Sequence, residues 1–70
     1  MKPNFYTIGT DNGSKQTFSS PAEAISTMNE KPNQQLEDIF GYDEDGEEIV
    51  EGQVEIDKDG KFYLENISYI

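Results

Sequence analysis

Apolar and polar residues alternate near the start of the chain, which is typical of β-strands. Residues 5–8 and 14–18 are two such runs, and a turn sequence, TDNG, lies between them. Asn and Gly tolerate positive φ, so these runs predict a β-hairpin. A three-residue loop at 11–13 places Tyr6 opposite Phe18, and Tyr6, Ile8 and Phe18 then share one face. A two-residue Asn-Gly loop would turn Phe18 to the other face, and we favour the three-residue loop.

A helical spacing follows in residues 20–30, SPAEAISTMNE. Ser20 is the expected N-cap, Pro21 fits the first helical position, and Glu23 completes a capping box. Ala24, Ile25 and Met28 form an apolar stripe at helical spacing, which predicts core packing. Pro32 should end the helix, because the residue before a proline avoids the α-region.

The second half of the chain predicts three strands joined by two D-x-D-G turns. Residues 36–42, LEDIFGY, fit either a short helix or a strand, and the Asp43–Gly46 turn that follows favours a strand. A loop at 58–60 pairs Ile56 with Phe62 and Val54 with Leu64, with all four on one face. Glu55 and Tyr63 then point to the opposite face. Ile67 is out of phase with Leu64, which predicts a bulge or a strand end near Asn66.

The predicted fold is therefore α+β, with the order β-β-α-β-β-β and one helix on one face of an antiparallel sheet. The 70 residues suit one small domain, 1–70, which buries about 60% of its unfolded surface. We expect a cytoplasmic chain, because no long apolar segment suggests a signal peptide or a membrane span. The final strand, within KFYLENISYI, is a candidate open edge, and the oligomeric state stays open.

Charge separates the two halves of the chain. The formal net charge is −10, from fifteen acids and five lysines. Residues 1–35 hold three acids and three lysines, whereas residues 36–70 hold twelve acids and two lysines. The whole imbalance therefore belongs to the second half, which is more informative than an acidic composition alone.

The residue types present argue against catalysis and cofactors. The chain contains no Cys and no His, so the most common nucleophiles and general bases are absent. The D-x-D-G segments resemble part of a calcium loop, but both lack the Glu that closes such a loop at its twelfth position. We therefore expect no enzyme, no metal site and no cofactor, and we interpret these segments as turns.

The acids predict a surface that binds a basic protein. Acids two positions apart in a strand lie about 6.6 Å apart on one face, which is close to the spacing of a nucleic-acid backbone. Proteins that bind nucleic acid carry Lys and Arg in their phosphate grooves, and carboxylates can occupy these grooves. Direct binding of nucleic acid is disfavoured by like charge. The candidate partner-binding residues are Glu37, Asp38, Tyr42, Asp43, Glu44, Asp45, Glu47, Glu48, Glu51, Glu55, Asp57, Asp59 and Tyr63, with the two tyrosines as aromatic anchors.

This profile of a compact, strongly acidic, cysteine-free chain resembles the small phage-encoded inhibitors of bacterial defence. These include anti-CRISPR proteins, several of which act as DNA mimics. The resemblance implies a viral protein in the host bacterial cytoplasm that binds a CRISPR effector and blocks target DNA binding.

Two alternatives remain from the sequence. An acidic immunity protein or antitoxin that caps a nuclease would present the same kind of surface. Alternatively, the acids form only a solvated surface, which keeps the protein soluble or adapts it to high salt, although adaptation to high salt should acidify the whole surface and the first half is neutral.

Overall fold

The computed structural model describes residues 2–9 and 16–70. The described elements are strand β1 (Phe5–Ile8), helix α1 (Pro21–Glu30), strand β2 (Ile39–Tyr42), strand β3 (Glu48–Ile56) and strand β4 (Phe62–Tyr69). The four strands form one antiparallel sheet in the order β1-β2-β3-β4. The helix packs against β4 and β1, which confirms the α+β class.

The predicted strand order is wrong in one detail. The second predicted strand, 14–18, is not a strand in its described part, and the order is β-α-β-β-β. Phe18 makes a single bridge to Tyr6, with two backbone hydrogen bonds of 2.8 and 2.9 Å. This pairing agrees with the predicted register. Residues 14 and 15 and the predicted turn over 10–13 lie outside the described residues.

Helix α1 begins as the sequence predicts. The Glu23 amide donates to the Ser20 hydroxyl at 3.2 Å, and Pro21 occupies the first turn. The Glu23 carboxylate accepts from the Ser19 amide at 2.9 Å, one residue before the expected N-cap amide. Lys31 has an extended backbone and ends the helix, as expected for the residue before Pro32.

The core lies between the helix and one face of the sheet, here called the inner face. Its buried side chains come from every layer: Phe18, Ala24, Met28, Ile39, Val54 and Phe62, with Tyr6, Ile8, Ile25 and Leu64 packed against them. This confirms the predicted inner stripe of the helix and the predicted shared face of the first strand and Phe18.

Gly52 lies on the inner face at the centre of β3 because two neighbours need its space. A Cβ there would meet Ile39 at 2.7 Å and Leu64 at 3.0 Å. These distances are closer than side chains tolerate, so glycine lets the β2 and β4 side chains meet across β3.

The β3–β4 hairpin has the predicted register. Ile56 pairs with Phe62, Glu55 with Tyr63, and Val54 with Leu64. The next pair is Gln53 with Asn66, so Glu65 is the extra residue of a bulge, and the strand continues to Tyr69. Residues 39–42 form a strand, as favoured for 36–42. Residues 36–38 are outside that strand, and Leu36 is exposed.

Asn29 joins the helix to β4 at the edge that faces away from β3. Its side-chain amide donates to the Phe62 carbonyl at 3.1 Å, and its side-chain oxygen accepts from the Phe62 amide at 2.8 Å. Both outward backbone groups of Phe62 are therefore satisfied by one side chain.

Replacing Asn29 by Ala should lower the free energy of unfolding by about 1–2 kcal/mol, because two hydrogen bonds in a partly buried position are lost. Chemical denaturation would measure the change. Ser26→Ala, at an exposed position of the same helix, is the matched control and should not destabilise. Equal stabilities of the two variants would contradict this role for Asn29.

Candidate acidic interface

The face of the sheet opposite the helix, here called the outer face, carries acids and aromatic rings. Strand alternation and the pairing register place the following residues on it: Phe5, Thr7, Phe40, Tyr42, Glu48, Glu51, Gln53, Glu55, Tyr63, Asn66 and Ser68. Lysine occupies none of these positions in the four described strands. Acids and rings thus share a surface that bears no positive side chain of its own.

A groove of about 590 Å³ crosses the outer face near the start of β2. Residues 36–38, which precede β2 and belong to no strand, line it together with residues of β3. Four of its eight lining residues are acids: the lining is Leu36, Glu37, Asp38, Glu51, Gln53, Val54, Glu55 and Ser68. The groove therefore brings together acids that are far apart in sequence.

Asp38 has a structural role at this groove. Its carboxylate accepts a 3.1 Å hydrogen bond from the Val54 amide, and its backbone carbonyl accepts from Gly9 at 2.7 Å. One residue thus extends the pairing of β2 with both neighbouring strands. Its half-buried carboxylate is held in place rather than free to reach a partner.

Glu51 is the acid most affected by this crowding. A hydrogen bond with the Asp38 side chain favours the protonated form and raises the pKa of Glu51. Burial and the charges of Asp38 and Glu48 act in the same direction. The outer face therefore holds like charges close enough to oppose ionisation.

Two outer-face tyrosines have different environments. Tyr42 is half-buried and stacks on Phe5, with ring centroids 5.1 Å apart. Tyr63 is 41% exposed and pairs across the strands with Glu55. The neighbouring Glu65 carboxylate, followed by burial and Glu55, raises the pKa of Tyr63. Tyr63 is thus the accessible ring, whereas Tyr42 contributes to packing on this face.

The remaining candidate acids lie in two turns of the same design. In the first, the Asp43 carboxylate accepts from the Asp45 and Glu47 amides, both at 2.9 Å. In the second, the Asp57 carboxylate accepts from the Asp59 and Lys61 amides at 2.8 and 2.9 Å. Gly46 and Gly60 each have φ of 81°, which only glycine adopts readily. The hydrogen bonds from turn amides to the Asp43 and Asp57 carboxylates are typical of Asx turns.

The expected strand spacing is wrong for the acids that lie in the two turns. Asp43, Asp45 and Glu47 precede β3 and belong to a turn, so strand spacing does not apply to them. Asp57 and Asp59 lie in the turn at the opposite end of β3. A nine-residue strand separates the two turns by about 30 Å. Within β3, Glu48, Glu51 and Glu55 stand on the outer face, and Gln53 lies between the last two.

The candidate acids therefore fall into three groups. Glu37, Asp38, Glu51 and Glu55 line the groove, and Glu48 adjoins it through Glu51. Glu44, Asp45, Glu47 and Asp59 are exposed in the turns. Asp43 and Asp57 hold those turns. Among the residues that the structure describes, no cluster of three acids is suited to hold a metal ion.

Sequence reasoning missed three residues of this surface. Gln53 and Ser68 line the groove, and Gln53 donates to the Glu55 carboxylate at 3.1 Å. Glu65 accepts a long hydrogen bond of 3.5 Å from the Tyr63 hydroxyl. Strand alternation places Gln53 on the same face as Glu51 and Glu55, whereas residue type alone indicated acids and tyrosines.

Comparison of the chain with protein-family models, curated protein sequences and solved structures gave no match. Within the part of the chain that the structure describes, no helix is long and apolar enough to cross a membrane.

Replacing Asp43 by Ala should lower the free energy of unfolding by about 1–2 kcal/mol, because two amides of the turn lose their acceptor. Asp57→Ala should have a similar effect on the second turn. Asp45→Ala is the matched control, since its exposed side chain does not anchor the turn. Thermal and chemical denaturation measure the differences, and no loss in either anchor variant would refute this assignment.

Replacing Glu51 by Gln should raise stability at neutral pH and have little effect in acid. The raised pKa means that the folded state binds a proton more readily than the unfolded state, so ionisation destabilises the fold as pH rises. The gain should appear between the ordinary value of 4.5 and the raised pKa in the folded state, and persist above it. Urea denaturation across this range, with Glu44→Gln as control, tests the prediction. A gain of equal size for both variants at pH 7 would count against it.

Proposed function

We propose that this protein is a non-enzymatic inhibitor that binds a basic nucleic-acid-binding protein through its acidic outer face. The observation that carries the proposal is the composition of that face. Five acids stand on or beside this face, whose strand positions carry no lysine: Glu37, Asp38, Glu48, Glu51 and Glu55. Like charges at this density repel one another, and a basic partner would relieve that repulsion.

The charge favours a partner that normally binds nucleic acid. Such proteins present Lys and Arg at positions that match phosphates, and carboxylates can accept the same hydrogen bonds. The leading candidate is a CRISPR effector in the host bacterial cytoplasm, which an anti-CRISPR protein would prevent from binding target DNA. This choice rests on the resemblance of the chain to small acidic phage inhibitors and on the charge of the outer face.

The size of the outer face supports the proposal. A standard interface uses about 800 Å² per partner, and the described residues expose 4774 Å² in total. One face of a molecule 36 Å long and 24 Å wide has room for such an area. Tyr63 supplies an exposed ring beside Glu55, and tyrosine is frequent at the centre of interfaces.

Reversing the two groove acids of β3, as Glu51→Lys with Glu55→Lys, should weaken binding to the partner by about 100-fold or more. The matched control is Glu44→Lys with Asp59→Lys, which makes the same change of net charge in the two exposed turns. If the outer face binds, the control should retain most of its affinity. The proteins would be tested for retention of effectors from a bacterial lysate with a CRISPR system, and then for binding to the purified target.

Raising the salt concentration should weaken the same binding, because salt screens charges across a hydrated interface. Equal losses in both double variants would indicate that net charge, rather than the outer face, drives association. Recovery of a toxin nuclease instead of an effector would favour an immunity protein or antitoxin. Recovery of no specific protein would favour a surface that is only solvated.

A further inference from the structure

We propose that strand β4 is a self-association edge, through which two copies of this chain pair antiparallel and extend one sheet to eight strands. The inference is independent of the proposed inhibitor function. It starts from the two edges of the sheet, which differ in how their backbone groups are satisfied. Phe18 bridges the β1 edge at Tyr6, whereas β4 borders no further strand among the described residues.

The backbone of β4 shows which part of its edge is open. The Ile70 amide donates to Ile49 across the sheet, so alternation directs the backbone groups of Ile67 and Tyr69 outward. At the other end, Phe62 also points outward, but Asn29 occupies both of its groups. The helix therefore covers the β4 edge only at Phe62, and the backbone groups after Leu64 remain open.

Exposed apolar side chains concentrate on this open segment. Ile67 and Tyr69 are 40% and 66% exposed, and Ile70, which directly follows the strand, is 72% exposed. Ile67 and Tyr69 lie on the inner face, since they pair with Gly52 and Val50. The segment has none of the lysines or prolines that commonly protect an edge strand.

Charge favours a second copy as the occupant of this edge. Two chains of charge −10 repel each other strongly if their outer faces meet. Residues 62–70 hold one charged side chain, that of Glu65, so this edge allows two copies to approach with the least repulsion between side chains. An antiparallel pairing centred on Ile67 places Ile67 against its own copy and Glu65 against Tyr69 of the other copy, which keeps the two Glu65 residues apart.

The same register avoids the helix. It pairs residues 65–69 of each copy and leaves Phe62, which Asn29 covers, outside the paired segment. Five residues give a contact about 16 Å long, and a sheet with its side chains is about 10 Å deep. The resulting area is well below the standard of about 800 Å² per partner, so the dimer should be weak and dependent on concentration.

Analytical ultracentrifugation of the intact chain, from about 10 µM to about 1 mM, tests the proposal in the range where weak interfaces form. We expect a shift from the 7.9 kDa monomer to twice that mass. Ile67→Pro removes an outward amide without removing a hydrogen bond to β3, and Ile67→Lys places a charge at the symmetry axis. Each should weaken dimerisation about tenfold or more, whereas Leu36→Lys, exposed and away from the edge, should not.

The salt dependence of association distinguishes dimerisation from the proposed binding to a basic partner. Dimerisation of two acidic chains should strengthen as salt screens their repulsion, whereas binding to a basic partner should weaken. Circular dichroism and thermal melting would establish that each variant is folded. A wild-type chain that stays monomeric to about 1 mM at high salt would overturn the proposal, as would dimers that both Ile67 variants leave intact.

Discussion

The two-faced alternation of strand β3 is the constraint on which the rest of the structure depends. Val50, Gly52 and Val54 face the core, while Glu51 and Glu55 stand on the opposite side. A shift of one residue would bury the acids and expose the valines. The free energy of burying a charge is far larger than any single packing gain, so the charge pattern and the core enforce the same register.

The repulsion between the acids is limited by the way the turns use them. Asp43 and Asp57 direct their carboxylates to amides of their own turns, where a negative charge is favourable. These acids help the hairpins form instead of opposing them. The unfavourable charges are those of the groove, where Asp38, Glu48 and Glu51 adjoin. A binding surface is frequently the place where a fold retains such a cost.

Local signals were sufficient to predict much of this fold. The Ser20-Pro21 helix start, the D-x-D-G turns and the pairing of Val54 with Leu64 each depend on residues close in sequence. The second predicted strand was wrong because its pairing needed more than alternation: within the described residues 16–18, Phe18 alone forms a β-bridge to β1, at Tyr6. The strand order also required tertiary contacts, since β1 and β2 are neighbours with a helix between them in the chain.

The candidate site was less predictable for a related reason. Counting acids in the sequence treated turn anchors and groove acids alike, although Asp43 bonds within its turn and Glu51 lies in a groove. The groove is lined by residues 36–38 together with residues of β3 and β4, an arrangement that no local pattern encodes. The pairing of Asp38 with the Val54 amide is likewise a long-range contact. Residue type alone therefore predicted the sign of the surface, whereas its geometry required the fold.

The two proposals use different parts of the same sheet, its outer face and its β4 edge, and they depend on different physical forces. The outer face offers charge, which acts over about 10 Å and weakens with salt. The β4 edge offers backbone hydrogen bonds and apolar side chains, which act only in direct contact. Glu65 is the one charged side chain of this edge. Pairing at β4 would place two outer faces side by side in one continuous sheet. A basic partner would then meet two copies of the Glu51–Glu55 surface, and a weak contact per chain would gain from being presented twice.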